Sequence, residues 1–124
     1  MYRYTRDHVW ILLENGRARI GLSDFAQKEL GDMAYIELPE VGRTVSRGDA
    51  LCSIDSLKSA SEIYAPVSGT VIETNQALAA ETGCALVNSD PLGAGWIAVI
   101  QVSDASEIDG LLSESQYADY VRGN

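Results

Sequence analysis

The stretch Asp55-Ser-Leu-Lys58-Ser-Ala-Ser-Glu62-Ile-Tyr-Ala-Pro66-Val-Ser-Gly69 holds a lysine inside a polar, small-residue segment. An apolar-rich run lies on each side of it, Ala50-Leu-Cys-Ser-Ile-Asp55 before and Glu62-Ile-Tyr-Ala65 after. Gly48 lies ten residues before Lys58 and Gly69 eleven after it. Two short strand-like runs bounded by turn residues predict an up-and-down hairpin with Lys58 near its tip. A lysine in such a turn is solvated and can enter the active site of a modifying enzyme, which a lysine at a strand centre cannot do. Acylation there neutralises a strongly hydrated ammonium and turns the side chain into a long flexible arm.

Working outward, Pro66-Val-Ser-Gly69 turns the chain into a further strand, Thr70-Val-Ile-Glu-Thr74. Upstream, Met33-Ala-Tyr-Ile-Glu-Leu38 reads as a strand, and Pro39-Glu-Val-Gly42 as the turn after it. The runs His8–Glu14 and Arg17–Leu22 flank Asn15-Gly16, a pair suited to the two positive φ values of a type I′ turn, so a hairpin is expected. Ser23 can cap a helix over Asp24–Leu30, Gly31 can supply a left-handed stop, and Lys28 falls mid-helix. Trp96–Val102 is apolar on both faces and reads as a buried strand. Residues 75–92, with few β-branched side chains, read as a long surface loop with a helical turn at Ala77–Glu81. Ser103 to Val121 reads as two short helices broken near Ser113. Ser113 and Gln116 there have the spacing of a capping box, and Tyr117, Tyr120 and Val121 an apolar face. Many short strands with frequent turn signals argue for an antiparallel barrel or sandwich rather than a βαβ sheet.

The 124 residues suffice for one compact domain, expected to span residues 1–124, and leave no room for a second catalytic domain. No apolar run approaches the roughly 18 residues of a membrane span, and the N-terminus does not read as a secretory signal, so a cytoplasmic location is expected. Nine basic against eighteen acidic residues give a formal charge of −9, which opposes phosphate backbones and anionic membranes; neither nucleic acid nor a membrane is an expected partner. Lysine chemistry has two side-chain candidates, Lys28 and Lys58. Two cysteines without metal-ligand spacing, and a single histidine, make a zinc site or a disulfide scaffold improbable. Alternation along the strand puts His8 and Trp10 on one face, which favours packing over catalysis.

The segment Asp55–Gly69 resembles the lipoyl-attachment segment of the glycine cleavage system H protein. Further matches run in family order: His8-Val-Trp10, Leu30-Gly-Asp32, Leu38-Pro-Glu-Val-Gly42, Val45 with Gly48-Asp49, Leu86-Val-Asn-Ser-Asp-Pro91 and Gly95-Trp96. The resemblance implies a mainly β barrel-sandwich hybrid with a short internal helix and C-terminal helices. It implies lipoic acid amide-linked to Lys58, a carrier rather than an enzyme, and loading by a lipoate-protein ligase or lipoyl transferase. Asp55, Ser56, Leu57, Ser59 and Glu62 surround the lysine and are the candidates for recognition by that enzyme and by later partners. In the glycine system those partners are a pyridoxal-phosphate glycine decarboxylase, a folate-dependent aminomethyltransferase and a flavin dihydrolipoyl dehydrogenase.

The chain departs from the family pattern at several points. Val9 stands where glutamate is usual, Asp55-Ser-Leu-Lys58 replaces a Glu-Ser-Val-Lys run, and the loop from Ala79 to Ala85 is longer. Cys52 and Cys84 also lie outside the usual pattern and are the candidates for a redox role. Together these features tilt the expectation toward the related lipoate-binding proteins that serve a heterodisulfide-reductase-like complex in sulfur oxidation, with the glycine cleavage role as the alternative. A strand cysteine such as Cys52 is usually a small core residue, whereas Cys84, in a loop, is expected to be accessible. An unmodified barrel acting as an assembly module, a thiol enzyme using a cysteine, and a biotin carrier are the competing readings. The last lacks its Met-Lys-Met signature.

Overall fold

The computed structural model describes residues 2–79 and 83–123. In chain order its strands are β1 (Tyr2–Tyr4), β2 (Val9–Glu14), β3 (Arg17–Leu22), β4 (Met33–Glu37), β5 (Thr44–Val45), β6 (Ala50–Ser56), β7 (Ala60–Tyr64), β8 (Gly69–Thr74) and β9 (Ala98–Val102). They form two antiparallel sheets, one in the order β1-β2-β3-β9-β8-β5 and a smaller one in the order β4-β6-β7. This is the mainly β barrel-sandwich hybrid that the resemblance implied. Period-two alternation sends Ile11, Ile20, Val71 and Ile100 of the larger sheet, and Ile36, Ile54 and Ile63 of the smaller, into one shared core.

The β2–β3 hairpin closes as expected. Asn15 (φ 51°) and Gly16 (φ 76°) both take positive φ, and Glu14 stands opposite Arg17. Helix α1 (Asp24–Leu30) is capped by Ser23, whose Oγ accepts the Ala26 N–H at 3.2 Å. Gly31 ends it, but with φ 80° and ψ −160° it lies in a region open essentially to glycine alone rather than in the left-handed helical well. Lys28 is on the helix surface, paired with Asp24 at 2.9 Å.

The outer face of the larger sheet is covered at one end by α3 (Glu114–Arg122). The expected capping box is present: Ser113 Oγ accepts the Gln116 N–H at 3.2 Å, and Gln116 Oε1 accepts the Ser113 N–H at 2.9 Å. Tyr117 on this helix stacks on Tyr4 with centroids 4.3 Å apart, beside the fully buried Trp10. The first of the two expected C-terminal helices is a 3-10 turn, Ala105–Gly110.

Several expectations need correction. The strand expected from Trp96 begins at Ala98, because the Trp96 N–H closes a turn onto the Gly93 carbonyl and its ring lies under the Arg19 guanidinium. The described residues of 75–92 are not a plain surface loop. They contain 3-10 turns at Gln76–Ala79 and Gly83–Ala85 and the short helix α2 (Leu86–Ser89), and they bury Leu78, Cys84 and Val87. Asn75 makes that burial tolerable by donating to the Ala94 and Trp96 carbonyls, both at 2.8 Å, and accepting from the Ala77 N–H. The helical turn expected at Ala77–Glu81 is the 3-10 turn beginning at Gln76; the rest of that expectation, and residues 80–82 of the longer loop, lie outside the described residues. The sequence reading passed over β1 and β5, which are two or three residues long and lie at the edges of the larger sheet.

Gly21 shows how tightly the outer face is packed. A Cβ there would lie 2.7 Å from the Trp10 indole nitrogen, which itself donates to the Pro91 carbonyl at 2.8 Å. Gly21→Ala is expected to destabilise the fold by about 1–3 kcal/mol through overpacking, read as a lower midpoint in urea unfolding with an unchanged slope.

Candidate functional site

β6 and β7 form the hairpin that the sequence predicted, with Leu57 and Lys58 at its tip. The Ser56 N–H donates to the Ser59 carbonyl at 2.8 Å, which closes a two-residue connection. Neither Leu57 nor Lys58 has positive φ, so the turn is not of the primed type usual for such hairpins. The Ser56 hydroxyl compensates. It donates to the Ser59 carbonyl (3.1 Å) and accepts from the N–H groups of Ser59 (3.1 Å) and Lys58 (3.4 Å), so its one donor and two lone pairs are all used.

A second contact fixes the tip from outside. The Leu57 N–H donates to the Asp32 carbonyl at 3.0 Å, so the turn rests on the corner between α1 and β4. The same corner underlies the lysine: a Cβ on Gly31 would stand 3.5 Å from Lys58 Cε. The Lys58 side chain is exposed and, among the described residues, makes no ion pair. Leu57 is 78% exposed, the most open large apolar side chain among the described residues.

The strand register sorts the flanking residues. Asp55 stands opposite Tyr35 and Ala60, and Glu62 opposite Ser53, so both carboxylates lie on the outer face of the smaller sheet, without an ion pair among the described residues. Ser56 points inward and is buried, whereas Ser59 is exposed. Glu62 also borders a cleft of about 210 Å³ between α1 and β7, lined by His8, Phe25, Glu29, Leu30 and Ser61.

His8 precedes β2 with φ 68° and does not belong to the strand, although it faces the same aromatic group as Trp10. Its Nδ1 is 2.7 Å from the Tyr117 hydroxyl, which is 2.7 Å from Ser23 Oγ, so a hydrogen-bond chain links the cleft wall to the α1 cap and to α3. Burial lowers the His8 pKa, against the opposing pull of the Asp7 and Glu29 carboxylates. Burial raises that of Tyr117, although the Ser23 bond works the other way.

The cysteines do not form a redox site. Cys84, expected to be accessible, is 6% exposed and directs its thiol at the Met33 carbonyl, because its segment packs into the core. Cys52 is buried and its thiol is pushed up to about 12, chiefly by burial. Both are free thiols. Thiolate chemistry needs an exposed, electropositive setting that neither has. Among the described residues no group of three His, Cys, Asp or Glu side chains could hold a metal ion.

The glycine cleavage H-protein family profile matches residues 2–124. The chain belongs to this family. It is 46% identical over 119 residues to glycine cleavage system H protein 4 of Aquifex aeolicus, covering 96% of this chain and 68% of that one. It is 51% identical over 121 residues to a probable glycine cleavage system H protein of Thermococcus kodakarensis, covering 96% and 88%. The crystal structure of a glycine cleavage system H protein from Mycobacterium marinum superposes with a TM-score of 0.87 at 36% identity, covering 98% of this chain and 96% of that one. H proteins carry lipoic acid covalently on a lysine and act as carriers, not catalysts. No helix among the described residues is long and apolar enough to cross a membrane.

Sequence reasoning located the lysine and its neighbours but missed the Gly31–Asp32 corner beneath them and the link from His8 through Tyr117 to Ser23. The matching His8-Val-Trp10 and Leu30-Gly-Asp32 segments were visible, but not the contacts they make. The His8 setting has a consequence for stability. With a folded-state pKa below the unfolded 6.5, the unfolded chain takes up the proton first, so this contribution is complete above about pH 6.5 and is lost as pH falls through the folded value. His8→Asn, which tolerates positive φ, is expected to flatten the loss of thermal stability between pH 7.5 and 5.5 relative to the parent chain, measured by thermal unfolding at each pH.

Proposed function

We propose that this chain is a carrier for glycine cleavage, with the lipoyl group amide-linked to Lys58. The observation that carries the reading is the tip itself: a backbone held at Ser56 and Leu57 beneath a lysine whose side chain is exposed and unpaired among the described residues. The other lysine, Lys28, is held by Asp24 on the face of α1. The residues present suit the group, since the Lys58 ammonium is exposed at the hairpin tip and open to acylation. When bound, the lipoyl group supplies a disulfide that accepts an aminomethyl group and, after transfer, a dithiol to be reoxidised.

The chain's own residues hold and present the arm. A fixed tip makes the attachment point the same on every encounter, and tethering raises the local concentration of the reacting end at each partner site. Asp55, Leu57, Ser59 and Glu62 offer the lipoate-protein ligase or lipoyl transferase a rim of two carboxylates, an apolar knob and a hydroxyl; Ser56 acts from within by holding the turn. The later partners are a glycine decarboxylase, an aminomethyltransferase and a dihydrolipoyl dehydrogenase. The chain acts as one carrier domain in the cytoplasm, and the charge of −9 disfavours nucleic acid and anionic membranes as partners.

The sulfur-oxidation expectation draws on Cys52 and Cys84, and their burial removes that support. The named relatives favour glycine cleavage instead. The test is reconstitution with the three glycine cleavage enzymes and a lipoate ligase. The parent chain is expected to sustain glycine-dependent reduction of the dehydrogenase's acceptor. Lys58→Arg is expected to abolish it with unfolding unchanged within about 0.5 kcal/mol, as for other exposed substitutions. Equal turnover by the two chains would exclude Lys58.

A further inference from the structure

Asn88 stands on α2, far in sequence from Lys58, and every polar group of its side chain is engaged. Its Nδ2 donates to the Gly31 carbonyl at 2.9 Å and to Gln27 Oε1 at 3.0 Å, while its Oδ1 accepts the Met33 N–H at 2.9 Å. Gly31 and Met33 flank Asp32, whose carbonyl receives the Leu57 N–H. One amide thus clamps both sides of the residue on which the tip rests. Through Gln27, which is buried and held in turn by Asp24 at 2.8 Å, it also ties that corner to α1.

We propose that Asn88 is a positioning residue for the modified lysine: it fixes the Gly31–Met33 corner and so sets where Lys58 is presented to the ligase and to later partners. The inference rests on Lys58 being the attachment point. The corner demands two donors and an acceptor from one planar group, which an amide supplies and a carboxylate does not. In Asn88→Asp, Gln27 can face the new carboxylate with its amide nitrogen only by giving up its bond to Asp24. The Gly31 carbonyl has no such recourse and is left facing an acceptor. Gly31, whose φ of 80° with ψ −160° is open essentially to glycine alone, has no side chain to hold the bend, so without the clamp the corner gives way. Displacement of the corner therefore passes to the Leu57 N–H and the turn above it.

The test compares the full chain with Asn88→Asp and Asn88→Ala. Loading with lipoate by a lipoate-protein ligase and ATP gives KM and kcat for each carrier, and amide hydrogen exchange is followed at Leu57, with Ile54 and Ile63 as reporters of the strands. Loss of the clamp is expected to speed Leu57 exchange about tenfold, the loss of one hydrogen bond's protection, with Ile54 and Ile63 unchanged. KM for the carrier is expected to rise several-fold at unchanged kcat. A merely structural role would speed all three amides together and lower loading only with the folded fraction; that result, or an unchanged KM, overturns the proposal. Should both variants fail to fold, the parent chain decides: Leu57 and Met33 amides resting on one corner must share an opening constant within about threefold, and free exchange at Leu57 beside a protected Met33 overturns it. A parent chain that accepts no lipoate at Lys58 refutes the attachment site instead, and exchange alone then judges the corner.

Discussion

The hydrogen bond from the Leu57 N–H to the Asp32 carbonyl joins the two parts of the molecule that a carrier must combine. On one side is a hairpin tip that has to be open to solvent. On the other is the corner between a capped helix and the smaller sheet, which is fixed by the core. A hairpin tip with no outside contact would fray, since a two-residue turn without positive φ fits strand twist poorly. Here the Ser56 hydroxyl satisfies the turn from within and the Asp32 carbonyl steadies it from below. The lysine can then be both exposed and well placed.

The rest of the fold serves that arrangement at increasing distance. The two sheets share one apolar core, which holds β6 and β7 in register up to the tip. Helix α1 is fixed at its start by Ser23 and at its end by Gly31, so the corner has a defined position. Ser23 is in turn bonded to Tyr117, which stacks on Tyr4, so α3 reaches the helix cap across the aromatic cluster on the outer face.

Much of this was legible in the sequence, for identifiable reasons. Asn15-Gly16 announces its turn because few residue pairs tolerate two positive φ values. Ser23 and Ser113 announce their helices by capping chemistry, and the tip of the β6–β7 hairpin follows from the small polar residues around Lys58. The errors share a cause as well. Residues 75–92 lack strand or helix periodicity, and what places Leu78, Cys84 and Val87 in the core is packing against distant elements, with Asn75 bonded to distant carbonyls, tertiary facts invisible to local patterns. Cys84 was misjudged as accessible for the same reason. The clamp made by Asn88 was unreadable too, since it depends on bringing together residues 27, 31, 33 and 88. At β1 and β5 the strands are too short for alternation to register.

The cysteines show how a resemblance can be refined by burial. Read as sequence, two unusual thiols suggest a specialised sulfur chemistry. Placed in the fold, one lies in a strand with its ionisation suppressed and the other faces a backbone carbonyl, which leaves glycine cleavage as the pathway best supported. The most direct measurement of the central claim is the intact mass and peptide map of the protein isolated from its own cells. The expected result is a lipoyl increment confined to the peptide containing Lys58. An unmodified Lys58, in cells that demonstrably lipoylate other proteins, would contradict the carrier role.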